Sequence, residues 1–153
     1  IETIQPDMIT PRTVARWSKP PSQIRMGNAE DEFLGEGWHP VESWPPSIRW
    51  IGTLGTLSLT QDVGQGTLII AACRPFHSDN VTTGKLRING QHLTNFQILG
   101  MDFEDIVVPL EPVTEPTPLE IEIEMAETFV PAAVGIDPDT RELGLAVRSI
   151  RLE

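Results

Sequence analysis

From Gln23 onward, apolar and polar residues alternate with a period of two along much of the chain. Leu119-Glu120-Ile121-Glu122-Ile123-Glu124-Met125 is the clearest case. Its apolar side chains all point one way and its glutamates the other, as only a strand can arrange. Read as a helix, the same order would leave no apolar face. Leu57-Ser58-Leu59-Thr60 and Leu86-Arg87-Ile88 repeat the alternation, and Thr67 to Ala72 is apolar enough for a strand covered on both faces. Asn89-Gly90, set between Leu86-Arg87-Ile88 and Gln91-His92-Leu93, predicts a two-residue hairpin. Phe103 to Leu110 supplies a further strand, closed by the proline-rich stretch 109–118. In the last strand, Leu143 to Leu152, the residues Leu143, Leu145 and Val147 share a face. Ile150 and Leu152 fall one residue out of phase, and a β-bulge near Arg148-Ser149 restores the alignment.

These segments amount to roughly eight strands with a turn signal about every ten residues, the signature of a sandwich or jelly roll. The expected fold is all-β: a two-sheet antiparallel β-sandwich. No segment after residue 22 has helical periodicity, and no internal repeat is visible. Residues 1–22 read differently. Pro6 and Pro11 interrupt a polar start, and Arg12 to Lys19 has room for a helical turn or two before Pro20-Pro21. We read 1–22 as an arm or linker anchored by Trp17, and 23–153 as one β-sandwich domain.

Composition narrows the function. A length of 153 residues suits one domain with one sizeable core. The formal charge of −11 disfavours nucleic acid and anionic membrane surfaces as partners. No apolar run reaches the ~20 residues a helical membrane crossing needs. A single cysteine, Cys73, excludes an internal disulfide; it lies in an apolar run and reads as a small buried hydrophobe. The lack of disulfides suits the cytoplasm. Ile1 at the start fits a mature fragment or a domain of a longer protein. Asn80-Val81-Thr82 matches a glycosylation acceptor, which matters only in a secreted chain.

The candidate chemistry is that of sugar recognition. Trp38, Trp44 and Trp50 fall close together, interleaved with His39, Glu42 and Arg49. Indole faces stack on the C–H faces of sugars, while carboxylates, histidine and arginine hydrogen-bond hydroxyls. The same tryptophans could instead seal one end of the sandwich; Trp44, beside Pro45-Pro46, is the best placed for exposure. The long connection Phe129 to Glu142 carries Asp137-Pro138-Asp139, read as a turn with aspartate as local acceptor rather than a metal motif. Arg141 is expected to pair with Glu42 or Glu36 and tie the two loops together. His39, His77 and His92 lack metal-ligand spacing, and Gly35-x-Gly37 is not a dinucleotide fingerprint. No nucleophile elbow or triad context exists. Glu120, Glu122 and Glu124 read as a solvated face. The expected chain is not an enzyme and needs no metal or cofactor; a hydrolase with a carboxylate pair assembled in space ranks last, since no acid pair stands out from the acidic background.

Phe33-Leu34-Gly35-Glu36-Gly37-Trp38-His39-Pro40 with Glu42, then Arg49-Trp50, forms one end of a longer pattern. Phe129-Val130-Pro131-Ala132, Asp139-x-Arg141-Glu142-Leu143-Gly144 and an Ala-Val-Arg-x-Ile strand form the other. Over residues 28–153 the chain resembles bacterial galactose-binding-like and carbohydrate-binding jelly rolls of the kind attached to glycosyltransferases of surface-polysaccharide biosynthesis. The resemblance implies a non-catalytic module that holds glycan or positions a neighbouring catalytic domain. The expected glycan site is Trp38, His39, Glu42, Trp44 and Arg141. The alternative is a structural or protein-interaction domain with no sugar ligand.

Overall fold

The computed structural model describes residues 19–44, 46–74, 81–99, 101–135 and 138–153. Most of the expected arm, including Trp17, lies outside the described residues, as do His77, Asn80 and Asp137.

Among the described residues nine strands follow in chain order: β1 Gln23–Arg25, β2 Arg49–Ile51, β3 Leu54–Gln61, β4 Thr67–Cys73, β5 Thr82–Ile88, β6 Gln91–Ile98, β7 Glu104–Pro109, β8 Thr117–Met125 and β9 Leu145–Leu152. The count exceeds the expected eight because β1 and β2 are three residues each, too short to show a period. They lie end to end along one side of β9. Among the described residues after 22, the one helical element is a 3-10 turn, Ala29–Phe33. It is set by local hydrogen bonds, among them Gly27 N–H to Asp31 Oδ2 (3.1 Å), which an apolar period does not register.

All pairing is antiparallel, in two sheets. The first sheet runs β1-β9-β4-β7 with β2 also on β9; the second runs β3-β8-β5-β6. The architecture is the expected two-sheet sandwich. Leu119, Ile121, Ile123 and Met125 of β8 face inward onto Leu68, Ile70 and Ala72 of β4 and Leu145, Val147, Ile150 and Leu152 of β9. Burying each large side chain stabilises the fold by roughly 1.5–3 kcal/mol.

The bulge falls where the phase change demanded it. Ala71 pairs with Ser149 and Ala72 with Val147, which leaves Arg148 as the extra residue. The β5–β6 hairpin turns at Asn89 (φ 51°) and Gly90 (φ 82°), both left-handed as its two-residue turn requires. β4 is buried on both faces, as its apolar run predicted. Its outer face contributes Cys73 to a second cluster with Ile48, Trp50, Phe129, Leu143 and Ala146.

The two flanks of the second sheet differ. Along β3, Gly35 N–H donates to Thr56 O (2.7 Å), Thr56 N–H to Glu36 O (3.0 Å) and Thr60 N–H to Pro21 O (2.9 Å). That edge is covered. β6 forms the opposite edge, and among the described residues no further strand pairs with it.

Candidate functional site

The loop between β1 and β2 positions most of the expected site. Gly37 takes φ +91° and lies so close to the Leu54 carbonyl that a side chain there would collide with it. Trp38 and His39 then point to different neighbours. The Trp38 indole packs on the main core and donates to Thr56 O (2.8 Å). It borders a shallow depression with Asp31, Leu34 and Arg49. The His39 ring is set against the Glu142 carbonyl (3.0 Å) on the far loop. Reciprocal backbone bonds between Glu42 and Ile48 (2.8 and 3.0 Å) close a small loop that carries Trp44.

Trp44 is half-buried rather than exposed. Its ring meets Trp50 edge-on at 6.2 Å and 82°, and Trp50 in turn meets Phe129 at 6.0 Å. Trp50 is core, at 1% exposure. Proline neighbours favoured exposure of Trp44 locally, but the apolar outer face of β2, β9 and β4 draws the indole inward.

The structure joins Glu42, Trp44 and Arg141 in one network. Glu42 Oε1 accepts from the Trp44 indole N–H (3.2 Å) and Oε2 from Arg141 Nη2 (3.0 Å). The Arg141 Nη2 also donates to Asp139 Oδ2 (2.6 Å), and its Nε reaches both Asp139 oxygens at 3.0 Å. The expected Arg141–Glu42 pair is present, and Asp139 is the local acceptor of the turn, taking the Arg141 backbone N–H at 2.9 Å. Hydrogen bonding from Arg141 holds the Asp139 carboxyl down at about 2. Hydrogen bonding to Asp139 in turn raises the Arg141 pKa against the pull of burial. Of the five candidates, Glu42, Trp44 and Arg141 share hydrogen bonds, His39 is tied to the adjoining loop, and Trp38 belongs to another depression. The acceptors and donors that a sugar hydroxyl needs are largely spent on one another.

A second surface has the opposite character. A groove of about 650 Å³ lies over the second sheet, lined by Thr83, Lys85, Asn95, Gln97, Glu124 and Ala126. Thr83, Lys85, Asn95 and Gln97 are exposed, and their side chains have no hydrogen-bond or ion-pair partner among the described residues. Phe96 lies beneath, its ring against Gly84, where a Cβ would strike the ring. The acidic side is neutralised. Arg87 Nη2 reaches Glu124 Oε1 at 2.8 Å and Glu122 Oε2 at 3.5 Å. Hydrogen bonding and charge from Arg87, with a contribution from Lys85, lower the Glu124 pKa. The glutamate row is thus a solvated face, as expected, with an arginine across it. Sequence reasoning missed this groove because its lining comes from three strands, with donors on β5 and β6 and the Glu124 carboxylate on β8. The signal was present in part: polar residues at alternate positions on both arms of the Asn89-Gly90 hairpin.

Three or more His, Cys, Asp or Glu side chains grouped for a metal do not occur among the described residues. Arg74 is buried under the second cluster, donating to Thr82 Oγ1 (3.2 Å) with its guanidinium 4.8 Å from the Phe129 ring. Desolvation lowers its pKa.

No sequence family and no curated protein matches this chain. Solved structures do. A family 35 carbohydrate-binding module from an environmental isolate superposes with a TM-score of 0.54 at 9% identity, over 86% of this chain and 91% of that one. A family 6 carbohydrate-binding module from Clostridium cellulolyticum, in complex with xylose, gives 0.53 at 10% identity, over 89% and 99%. CsCBM6-3 from Clostridium stercorarium, in complex with cellobiose, gives 0.52 at 15% identity, over 88% and 95%. At these identities the likeness is one of fold: this chain has the β-sandwich that carbohydrate-binding modules of families 6 and 35 use.

Proposed function

We propose that this chain is a non-catalytic carbohydrate-binding module, an accessory to an enzyme that builds or modifies glycans, and that its ligand lies in the groove over β5, β6 and β8. One observation carries the reading. Thr83, Lys85, Asn95 and Gln97 present unspent hydrogen-bonding groups around a single concave surface, whereas the polar groups at the loop end are largely engaged with each other. Amides, a hydroxyl and an ammonium suit the ring of hydroxyls on a sugar, each of which donates and accepts. The shared fold supports the reading without deciding it.

The groove is unsuited to glycoside hydrolysis. That chemistry needs a carboxylic acid whose pKa is raised so that it stays protonated. Glu122 and Glu124 share one arginine, and Glu124 is pushed the other way. Exposed polar contacts without a stacked aromatic ring imply modest affinity.

A second location has one observation in its favour: Trp44 is half-buried with its indole edge fixed on Glu42, a ring held rigidly at the surface. Amide shifts on titration with a panel of oligosaccharides, xylose and cellobiose among them, separate the two. The groove reading expects shifts at residues 83–85, 95–97 and 124–126, abolished by Asn95→Ala with Gln97→Ala and untouched by Trp44→Ala. Shifts confined to residues 38–44 and 139–142, or none with any glycan tested, reject it.

A further inference from the structure

We infer that two copies of this chain pair antiparallel along β6, joining their four-stranded sheets into one continuous sheet. Three features of β6 point to it. Among the described residues it is an open edge, while the opposite edge of the same sheet is covered by residues 21 and 35–36. An open edge is a row of unpaired backbone donors and acceptors that recruits another strand. Proteins normally blunt such edges with charge, proline or a bulge. Gln91–Ile98 contains no Asp, Glu, Lys, Arg or Pro. Its bulge falls at Leu93, since Leu86 pairs with Thr94 and Arg87 with His92, and Thr94–Ile98 is regular. β7, which ends the first sheet on one side, is blunted as expected, with Glu104 and Asp105 at one end and Pro109 at the other.

The occupant is a second copy because of charge. The chain carries a formal −11, so two copies repel wherever acidic surfaces meet. A two-fold axis also sets identical residues near each other, and like charges across a strand pair are destabilising. An uncharged edge strand escapes both penalties. A register centred on Phe96 sets Asn95 opposite Gln97 of the second copy. The regular stretch Thr94–Ile98 pairs throughout in this register, with Thr94 opposite Ile98 of the second copy.

The pairing has a consequence for the groove, and this part alone rests on the reading proposed above. Asn95 and Gln97 form the groove's wall on the side of the open edge. A two-fold normal to the joined sheet keeps both grooves on one face and sets the two pairs side by side. The second copy then supplies the missing far wall, and one long glycan chain can lie across both sites. Simultaneous engagement raises the apparent affinity of weak sites by effective concentration.

Sedimentation velocity from micromolar to millimolar protein tests the pairing without any sugar. The expected mass is twice 17.0 kDa. Asn95→Glu with Gln97→Glu sets four carboxylates together and returns the chain to a single-copy mass. Asn95→Lys with Gln97→Glu sets each lysine opposite a glutamate and keeps the dimer. Circular dichroism checks that both variants keep their strand content. Independently, β6 amides of the unaltered chain exchange more slowly as concentration rises. A single-copy mass at millimolar concentration, equal behaviour of the two charge variants, or exchange at β6 independent of concentration overturns the inference. A dimer that binds no glycan leaves the pairing intact and rejects only the groove, and a monomer that binds glycan does the reverse.

Discussion

Arg141 decides the character of the loop end. Its guanidinium spans Asp139 and Glu42, and Glu42 passes the constraint to the Trp44 indole. Asp139 is the residue to measure. Its folded pKa, about 2, lies below the ordinary 3.8. A carboxyl depressed by folding stabilises the fold fully above its unfolded pKa, and that contribution vanishes as pH falls through about 2. Carbon-detected NMR of the Asp139 carboxyl should find its midpoint near that value and, in Arg141→Gln, near 3.8. An unmoved midpoint would mean that Arg141 is not its partner in solution. The Arg141–Glu42 contact was legible in sequence because a long loop with one arginine faced a loop rich in glutamate. The depth of Trp44 was not, because it depends on the outer face of a sheet that residues far along the chain build.

Among the elements, β9 carries the most information. Leu145 and Val147 face inward, then Ile150 and Leu152 do so one residue out of step, and Arg148 takes up the difference. Removing Arg148 therefore leaves an unbroken alternation against an unbroken β4. Deletion of Arg148 should keep the fold, at the cost of the Met26 N–H to Arg148 O bond (3.0 Å) and the Arg148 stack on Phe103. Deletion of Ala146 shifts Leu145 to the wrong face and should abolish folding. Thermal unfolding of the two deletions makes the comparison; equal loss would show that the bulge is required rather than accommodated. Long strands and the Asn89-Gly90 hairpin were readable from period and turn chemistry alone. The three-residue β1 and β2 were not, since they are held by β9 rather than by their own pattern.

At the scale of the molecule, the −11 charge is not spread evenly. Over the second sheet, Lys85 and Arg87 face Glu122 and Glu124, so the groove is locally balanced within an acidic chain. Binding of a neutral oligosaccharide there involves no net charge, and its affinity should change by less than about twofold between low and high salt. Calorimetry at two ionic strengths checks this; a steep salt dependence would place the ligand on an unbalanced surface instead.

The alternation of side chains along each strand, the turn residues between strands and the phase slip in β9 determined the sandwich from sequence alone, because each is a local property of backbone and pleat. Tertiary structure decided which polar groups stay available. That is set by what each group meets across the fold: Arg141 finds two carboxylates and is used up, while Asn95 and Gln97 sit on an open edge and find none among the described residues. No spacing along one chain records such a meeting.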